Sequence, residues 1–162
     1  PGRIGNAHQN LVPYAVFDCA DGWIILATGN DAQYQRLCAI LGLPELAMAA
    51  DYLTNADRIA NRVALTQAIT GKTKGWLKSD LLAACEARGV PAGPINDLSE
   101  VFADPQVVAR GMKLEVEGVP TVRSPFRFSG AELALTRASP RLGQHDAEVR
   151  AALRDRAGKD TS

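Results

Sequence analysis

The chain has 162 residues, of which 46% are hydrophobic and 6% aromatic, so it can bury a core as one domain or two small pieces. Basic and acidic residues both number 18 and the formal net charge is zero, which excludes the basic excess of proteins that bind nucleic acid or anionic membranes. The apolar run Trp23–Ala27 is far shorter than the roughly 20 residues of a membrane span, so we expect no membrane partner.

The stretch from Tyr14 to Ala27 predicts a β-hairpin. Its two halves are rich in β-branched and aromatic residues and flank Asp21-Gly22, a dipeptide typical of tight hairpin turns. From Asn30 or Asp31 to Leu41 apolar residues recur every three or four positions, which predicts a helix on one face of the sheet. Asn30 or Asp31 is suited to cap this helix, and Gly42 is suited to its left-handed end.

Three more helices are predicted before residue 89. A short one begins near Pro44, and a longer one runs from Thr54 or Asn55 to Gly71. The apolar stripe of the longer helix is expected at Ile59, Val63, Ala64 (or Leu65) and Ile69, with Arg58 and Arg62 turned to water or to a neighbour. Thr73 is expected to cap the third helix, which buries Trp76, Leu77, Leu81, Leu82, Ala84 and Cys85 and closes at Arg88-Gly89.

The sequence changes character at Val90–Asn96. Two prolines and a glycine in this stretch exclude a helix and predict an extended crossing segment, where we expect the seam of the chain. Two short helices with acidic caps are predicted next, 97–102 and 104–110. Alternating apolar residues then predict a strand over 112–116, a turn at 118–120 and a half-buried extended course over 122–128. A last helix is expected to open at 143–146.

Three cysteines, Cys19, Cys38 and Cys85, lie in separate apolar segments, as buried cytosolic thiols do. The chain has only two histidines, His8 and His145, so we expect no metal site. It begins at Pro1 without Met or a signal-peptide pattern, so we expect a cytoplasmic protein and a fragment of a longer one.

No nucleophile elbow, zincin motif or phosphate loop is present, so the common hydrolase and nucleotide-binding signatures are excluded. The best local candidate for a ligand site is the loop of Gly5, Asn6, Ala7, His8, Gln9 and Asn10. Its small residues permit close approach, and its amides are suited to donate to an acyl or carboxylate oxygen. An ordinary polar loop that leads into a strand is the alternative. Arg58 and Arg62 share a helix face that either holds an anion or is a solvated stripe.

Several short motifs, taken together in their order and spacing from about Gly5 to Leu153, resemble the C-terminal half of the class III CoA-transferases, also called CaiB/BaiF. They are Gly5-Asn6-Ala7-His8, Val12-Pro13-Tyr14, Ala20-Asp21-Gly22, Thr54-Asn55-Ala56-Asp57-Arg58, Gly89-Val90-Pro91-Ala92-Gly93-Pro94, Phe102-Ala103-Asp104-Pro105-Gln106, Ala109-Arg110-Gly111-Met112 and Leu142-Gly143-Gln144-His145. The family includes formyl-CoA and carnitine CoA-transferases and α-methylacyl-CoA racemases.

The resemblance implies an α+β fold. Residues 1–89 would form most of a small α+β domain, and 90–162 would be a linker and a segment that returns to a Rossmann-like large domain outside this chain. Two subunits would interlock as a homodimer. If so, Met112, Leu114, Phe126 and Phe128 are expected to form an apolar surface, covered by a second copy or left disordered.

The resemblance also implies the chemistry. The transferases move CoA between carboxylic acids through an aspartyl anhydride and an enzyme-bound CoA thioester, with acyl-CoA as substrate and no covalently bound cofactor. The reacting aspartate would lie outside this chain, so we assign no catalytic residue here and expect the chain alone to be inactive. The loop residues Gly5, Asn6, Ala7, His8 and Gln9 match a glycine-rich lid that shields the intermediates from water.

Two alternatives stay open at this point. One is a racemase, which moves the proton α to the thioester. The other is a stand-alone binding or assembly module.

Overall fold

The computed structural model describes the backbone of residues 2–159 and the side chains of all of these except 155 and 157–159. The chain divides into two units, Pro1–Asn96 and Asp97–Ser162, called here the first and the second unit. Every buried hydrophobic side chain among those described lies between Val12 and Val90, so the core belongs to the first unit.

The first unit contains a sheet of three strands, β1 (Tyr14–Cys19), β2 (Gly22–Ala27) and β3 (Ala92–Ile95). Both β1 and β3 pair antiparallel with the central strand β2. The predicted hairpin is confirmed, and its turn uses Gly22 at a φ of 143°, where other residues are strained. The predicted extended segment after Val90 is confirmed too, as the third strand of this sheet.

One face of the sheet forms a wall of the core. Phe17 lies opposite Ile24 and Ala15 opposite Leu26, and all four side chains are buried. Alternate residues of a strand point to opposite faces, so Val16 and Ile25, which are paired in β1 and β2, lie on the other, half-buried face. The helices therefore cover a single face, as predicted.

The first two helices are α1 (Asp31–Leu41) and α2 (Pro44–Met48). The Asn30 side chain accepts a hydrogen bond from the Gln33 amide, and Gly42 ends α1 at a φ of 65°, so both predicted caps are confirmed. Pro44 is the first residue of α2, where it needs no amide partner. A 3-10 turn, Ala50–Tyr52, follows.

The single helix predicted from residue 54 to Gly71 is wrong. Two helices occupy this stretch, α3 (Asn55–Ala60) and α4 (Arg62–Thr73), because the backbone leaves helical geometry at Asn61 (φ −104°, ψ 22°). The break changes which side chains face inward. Ile59 and Val63 are 37% and 71% exposed and Ala64 is exposed as well, whereas Arg58, Leu65, Ile69 and Thr73 are buried.

The predicted start of the next helix is also wrong. Thr73 is fully buried and ends α4, and α5 runs from Lys78 to Ala87. Its first amide, that of Lys78, donates to the carboxylate of Asp21 at 2.7 Å. A side chain from the hairpin turn thus takes the capping role that the sequence placed at Thr73. Leu77, expected inside, is 49% exposed.

The second unit begins with α6 (Leu98–Ala103) and α7 (Pro105–Ala109). Asp97 and Asp104 accept hydrogen bonds from the first turns of these helices, as predicted. A hairpin of β4 (Lys113–Val116) and β5 (Val119–Val122) follows, and the last helix is α8 (Asp146–Lys159). The irregular stretch between β5 and α8 and the opening of α8 near His145 agree with the sequence.

The turn predicted at 118–120 lies one residue earlier. Glu117 and Gly118 both have positive φ, 51° and 76°, as two-residue hairpin turns require, and Val119 already belongs to β5. The half-buried course expected over 122–128 is wrong, because Phe126 and Phe128 are 70% and 59% exposed. Across both units, helices combine with small antiparallel sheets, and the predicted α+β class is confirmed.

Candidate functional site

The candidate loop, residues 5–10, leads directly into β1. Gly5 opens it at a φ of 67°, with open space where a Cβ would stand. This left-handed conformation favours glycine. Ala7 is half-buried and packs against the core, whereas Asn6, His8, Gln9 and Asn10 are exposed. The loop therefore exposes polar side chains and backbone groups to solvent, while Ala7 holds it against the core.

Hydrogen bonds fold the loop back onto the first strand. The His8 amide donates to the Tyr14 carbonyl at 2.8 Å, and the Asn6 side-chain oxygen accepts from the Val16 amide at 3.3 Å. The His8 and Tyr14 rings are stacked, with centroids 5.1 Å apart and planes inclined by 18°. These contacts fix the position of His8.

The His8 ring has a defined tautomer in its neutral form. Its Nδ1 accepts a hydrogen bond from the Asn10 amide at 3.0 Å, so Nδ1 carries no proton. The proton of the neutral ring is then on Nε2. The structure thus provides His8 with two partners, Asn10 and Tyr14.

Two side chains from the helices hold the loop from the other side. Arg62 donates from Nη1 to the His8 carbonyl at 2.7 Å and from Nη2 to the Gln9 carbonyl at 2.6 Å. Asn55 donates to the Asn10 carbonyl at 2.8 Å and accepts from the Val12 amide at 3.1 Å. The loop is anchored by α3 and α4, and Arg62 holds backbone carbonyls in addition to any contact with an anion.

Arg58 fixes the segment that follows the loop. The expectation that it faces outward in a solvated stripe is wrong, because the side chain is 1% exposed. Its cation lies over the Tyr34 ring, 4.4 Å from the centroid, an attractive arrangement. It donates to the carbonyls of Val12 (2.7 Å), Tyr52 (3.0 Å) and Leu53 (3.1 Å) and to the carboxylate of Asp31 (2.7 Å).

The sequence did not identify Arg58 and Arg62 as residues that support the candidate site. A long side chain with a charged end is usually exposed, and only its tertiary partners decide otherwise. The available signal was the motif Thr54-Asn55-Ala56-Asp57-Arg58, which contributes Asn55 and Arg58 to the support of the loop. Within that motif, hydrogen bonds from Thr54 lower the pKa of the Asp57 carboxyl.

The loop offers hydrogen-bond donors and no nucleophile. The amides of Asn6 and Gln9 donate to no acceptor in the described part of the chain. With the Nε2 proton of His8, these groups can bind an oxyanion or a polarised carbonyl. The three cysteine thiols lie elsewhere, free and buried as predicted. Burial raises the pKa of each, that of Cys85 to about 11.

Among the side chains that the structure describes, no group of three or more could ligate a metal ion. Residues 2–159 contain no helix with the length and apolar character to cross a membrane.

Comparisons with known proteins place these observations in a family. The family model "CoA-transferase family III" matches residues 1–146. The chain is 49% identical over 158 residues to the succinate–glutarate CoA-transferase of Agrobacterium fabrum, covering 94% of this chain and 40% of that protein. It is 39% identical over 152 residues to the human succinyl-CoA:glutarate CoA-transferase, covering 91% of this chain and 35% of the relative.

A solved structure agrees with the sequence comparisons. The crystal structure of a CAIB/BAIF family protein from Brucella suis matches with a TM-score of 0.84 and 50% identity, over 94% of this chain and 40% of that one. The chain thus spans about 40% of the length of these bacterial relatives. The family model covers most of the sequence, the resemblance in the motifs is confirmed, and the chain belongs to CoA-transferase family III.

Proposed function

We propose that this chain is the C-terminal portion of an enzyme that moves coenzyme A from an acyl-CoA to a free carboxylic acid, with dicarboxylic acids as the substrate class. The identity of 49% to a succinate–glutarate CoA-transferase carries this proposal. Relatives named for oxalate and mesaconate, at 34% and 35% identity, support the same substrate class.

The proposed reaction passes through the carboxylate of an aspartate outside this chain. The carboxylate attacks the thioester carbonyl, the C–S bond breaks, and CoA thiolate leaves behind a mixed anhydride. The thiolate then attacks the aspartyl carbonyl, which releases the first acid and forms an enzyme-bound thioester. The second carboxylate attacks the aspartyl carbonyl of that thioester, which breaks its C–S bond, releases CoA thiolate again and forms a second mixed anhydride. The thiolate then attacks the carbonyl carbon of the second acid, which gives the new acyl-CoA and restores the aspartate carboxylate.

In this proposal, residues 5–10 cover the reacting centre. Every intermediate in the sequence above is more reactive toward water than a carboxylate, so its lifetime depends on exclusion of water. The two amides without acceptors, those of Asn6 and Gln9, and His8 supply donors for the oxyanions formed at each attack. The two hydrogen bonds from Arg62 support a loop that is held in place, with any movement arising before Asn6.

Other features of the proposal concern the whole protein. A homodimer of interlocked subunits would complete the active site. Residues 1–89 would form most of the small domain, and 90–162 would be a linker and a segment that returns to the large domain. The free, buried thiols support a cytoplasmic location. Coenzyme A enters as part of the substrate.

The test is a transfer assay on the whole protein. Succinyl-CoA and glutarate are supplied, and CoA thioesters are separated by chromatography. We expect glutaryl-CoA to appear as succinyl-CoA disappears, in equal amounts, and no transfer by the present chain alone. Exchange of the proton α to the thioester without transfer would instead establish the racemase alternative. Binding without turnover would establish a binding module.

A matched pair of variants tests the loop. Arg62→Met removes the two hydrogen bonds of Arg62 to the His8 and Gln9 carbonyls. It is expected to raise the ratio of thioester hydrolysis to transfer by about tenfold, since water gains access to the anhydride. The control is Arg36→Met, which replaces an exposed arginine of α1 and is expected to leave the ratio unchanged. An unaltered ratio in Arg62→Met contradicts the shielding role.

A further inference from the structure

A pocket in the second unit is rich in arginine. It has a volume of about 260 Å³ and lies between the end of α7 and the segment that follows β5. Three arginines line it, Arg110, Arg123 and Arg127, and no acidic residue is among its described walls. Its apolar walls are Met112, Pro125 and Phe126.

Two of these arginines are held in place by the fold. The Nε of Arg123 donates to the Gly111 carbonyl at 3.0 Å, and the Arg123 amide donates to the Met112 carbonyl at 2.8 Å. The Gln106 side-chain oxygen, in the amide orientation that its surroundings favour, accepts from Arg110 Nε at 2.7 Å. Both guanidinium groups keep further N–H donors beyond these bonds.

The charge of the pocket is not balanced locally. Among the side chains that the structure describes, none of the three arginines is paired with a carboxylate. The chain as a whole has a formal net charge of zero, so this excess does not reflect a generally basic surface. Like charges around one small cavity repel each other, and an anion bound between them removes that repulsion.

We propose that this arginine pocket binds a small organic anion through a carboxylate or phosphate group. The planar fork of an arginine matches both groups and holds them with two parallel hydrogen bonds. Met112 and Phe126 then contact the apolar part of the same ligand. The pocket lies wholly within the second unit, and its ligand binding does not depend on the transfer reaction proposed above.

The experiment is titration calorimetry of the present chain with three probes: glutarate, ADP and inorganic phosphate. We expect saturable one-to-one binding of glutarate or ADP, and the probe that binds identifies the group as carboxylate or phosphate. Arg127→Gln is the informative variant, because the fold makes no described ion pair with this exposed side chain. Loss of a charge-assisted bidentate contact is expected to weaken binding about tenfold.

The matched control is Arg137→Gln, which removes an exposed arginine of the second unit that does not line the pocket. It is expected to leave the affinity unchanged. The proposal is overturned if no probe binds saturably or if both variants weaken binding equally. It is also overturned if inorganic phosphate binds as tightly as the organic probes, because the apolar wall then contributes nothing.

Discussion

The two units use similar local signals and reach different results. Each contains a hairpin of alternating apolar residues, yet Phe17 in β1 is 2% exposed while Phe126, just after β5, is 70% exposed. In the first unit, helices cover one face of the sheet, and their buried side chains form a single cluster with it. No described side chain of the second unit is buried. Alternation of apolar and polar residues predicts a strand, but the apolar side chains of a strand are buried only where a second layer of structure covers the sheet.

The largest loss of stability is expected when Arg58 is replaced, because the first unit depends on this one buried charge. Arg58→Met leaves three backbone carbonyls without their donor, and we expect the free energy of unfolding to fall by about 3–5 kcal/mol. Urea denaturation followed by tryptophan fluorescence measures it. Both tryptophans, Trp23 and Trp76, lie in the first unit, so the signal reports on that unit.

The exposed Arg36 provides the control for this variant. Its side chain makes one hydrogen bond, 3.3 Å long, to the Gly89 carbonyl, so Arg36→Met should cost less than about 1 kcal/mol. Equal losses of unfolding free energy in Arg58→Met and Arg36→Met would mean that the buried hydrogen bonds of Arg58 do not stabilise the first unit.

A second pair of variants compares the units directly. Ile69→Ala opens a cavity in the core of the first unit, where Ile69 is 0% exposed, and should lower the free energy of unfolding by about 3 kcal/mol. Phe126→Ala removes a side chain that is 70% exposed and should change it by less than about 0.5 kcal/mol. Because the tryptophan signal reports only on the first unit, Phe126→Ala is followed by hydrogen exchange in β4 and β5. A larger loss for Phe126 than for Ile69 would show that the second unit has a core of its own.

The buried thiols predict a dependence on alkaline pH. Burial raises the pKa of Cys85 from 9.0 to about 11, so above pH 9 the unfolded chain loses a proton that the folded chain keeps. The unfolded state is then favoured, and stability should fall between pH 9 and 11. Cys85→Ala should flatten this slope, and a slope unchanged in that variant would contradict the assignment.

Reaction with a thiol reagent gives the same comparison at neutral pH. Cys19, Cys38 and Cys85 should react only after denaturation, because the reagent has no access and the thiolate is disfavoured. A cysteine introduced by Ser129→Cys, at an exposed position of the second unit, should react at once. Rapid native-state reaction of the three natural thiols would show that the core is open.

The smallest expected effect is at the start of α3. Hydrogen bonds from the Thr54 hydroxyl and amide hold the pKa of Asp57 below its usual range. Thr54→Ala removes the hydroxyl, so the pKa of Asp57 measured by NMR titration should rise. Stability that depends on this pair is present above the unfolded pKa and is lost as pH falls through the folded one. An unmoved pKa would rule out the capping box.

The sequence predicted what neighbouring residues determine. The hairpin turn, the caps Asn30 and Gly42, and the acidic caps of α6 and α7 all follow from residues within a few positions. The break at Asn61 and the cap that Asp21 gives to Lys78, 57 residues away, depend on the folded chain. The loop of residues 5–10 was identified by its composition and by a family resemblance. Its anchors Asn55 and Arg62, and the burial of Arg58 beneath the segment that follows it, required coordinates.

The central claim is that the buried core lies within the first unit, which ends at Asn96. Hydrogen exchange along the chain tests this claim most directly. Because protection follows burial and stable hydrogen bonding, we predict slow exchange in β1, β2, α1, α4 and α5 and exchange at least a hundredfold faster in β4, β5 and α8. Uniform protection across both units would contradict the account, as would slower exchange in the second unit than in the first.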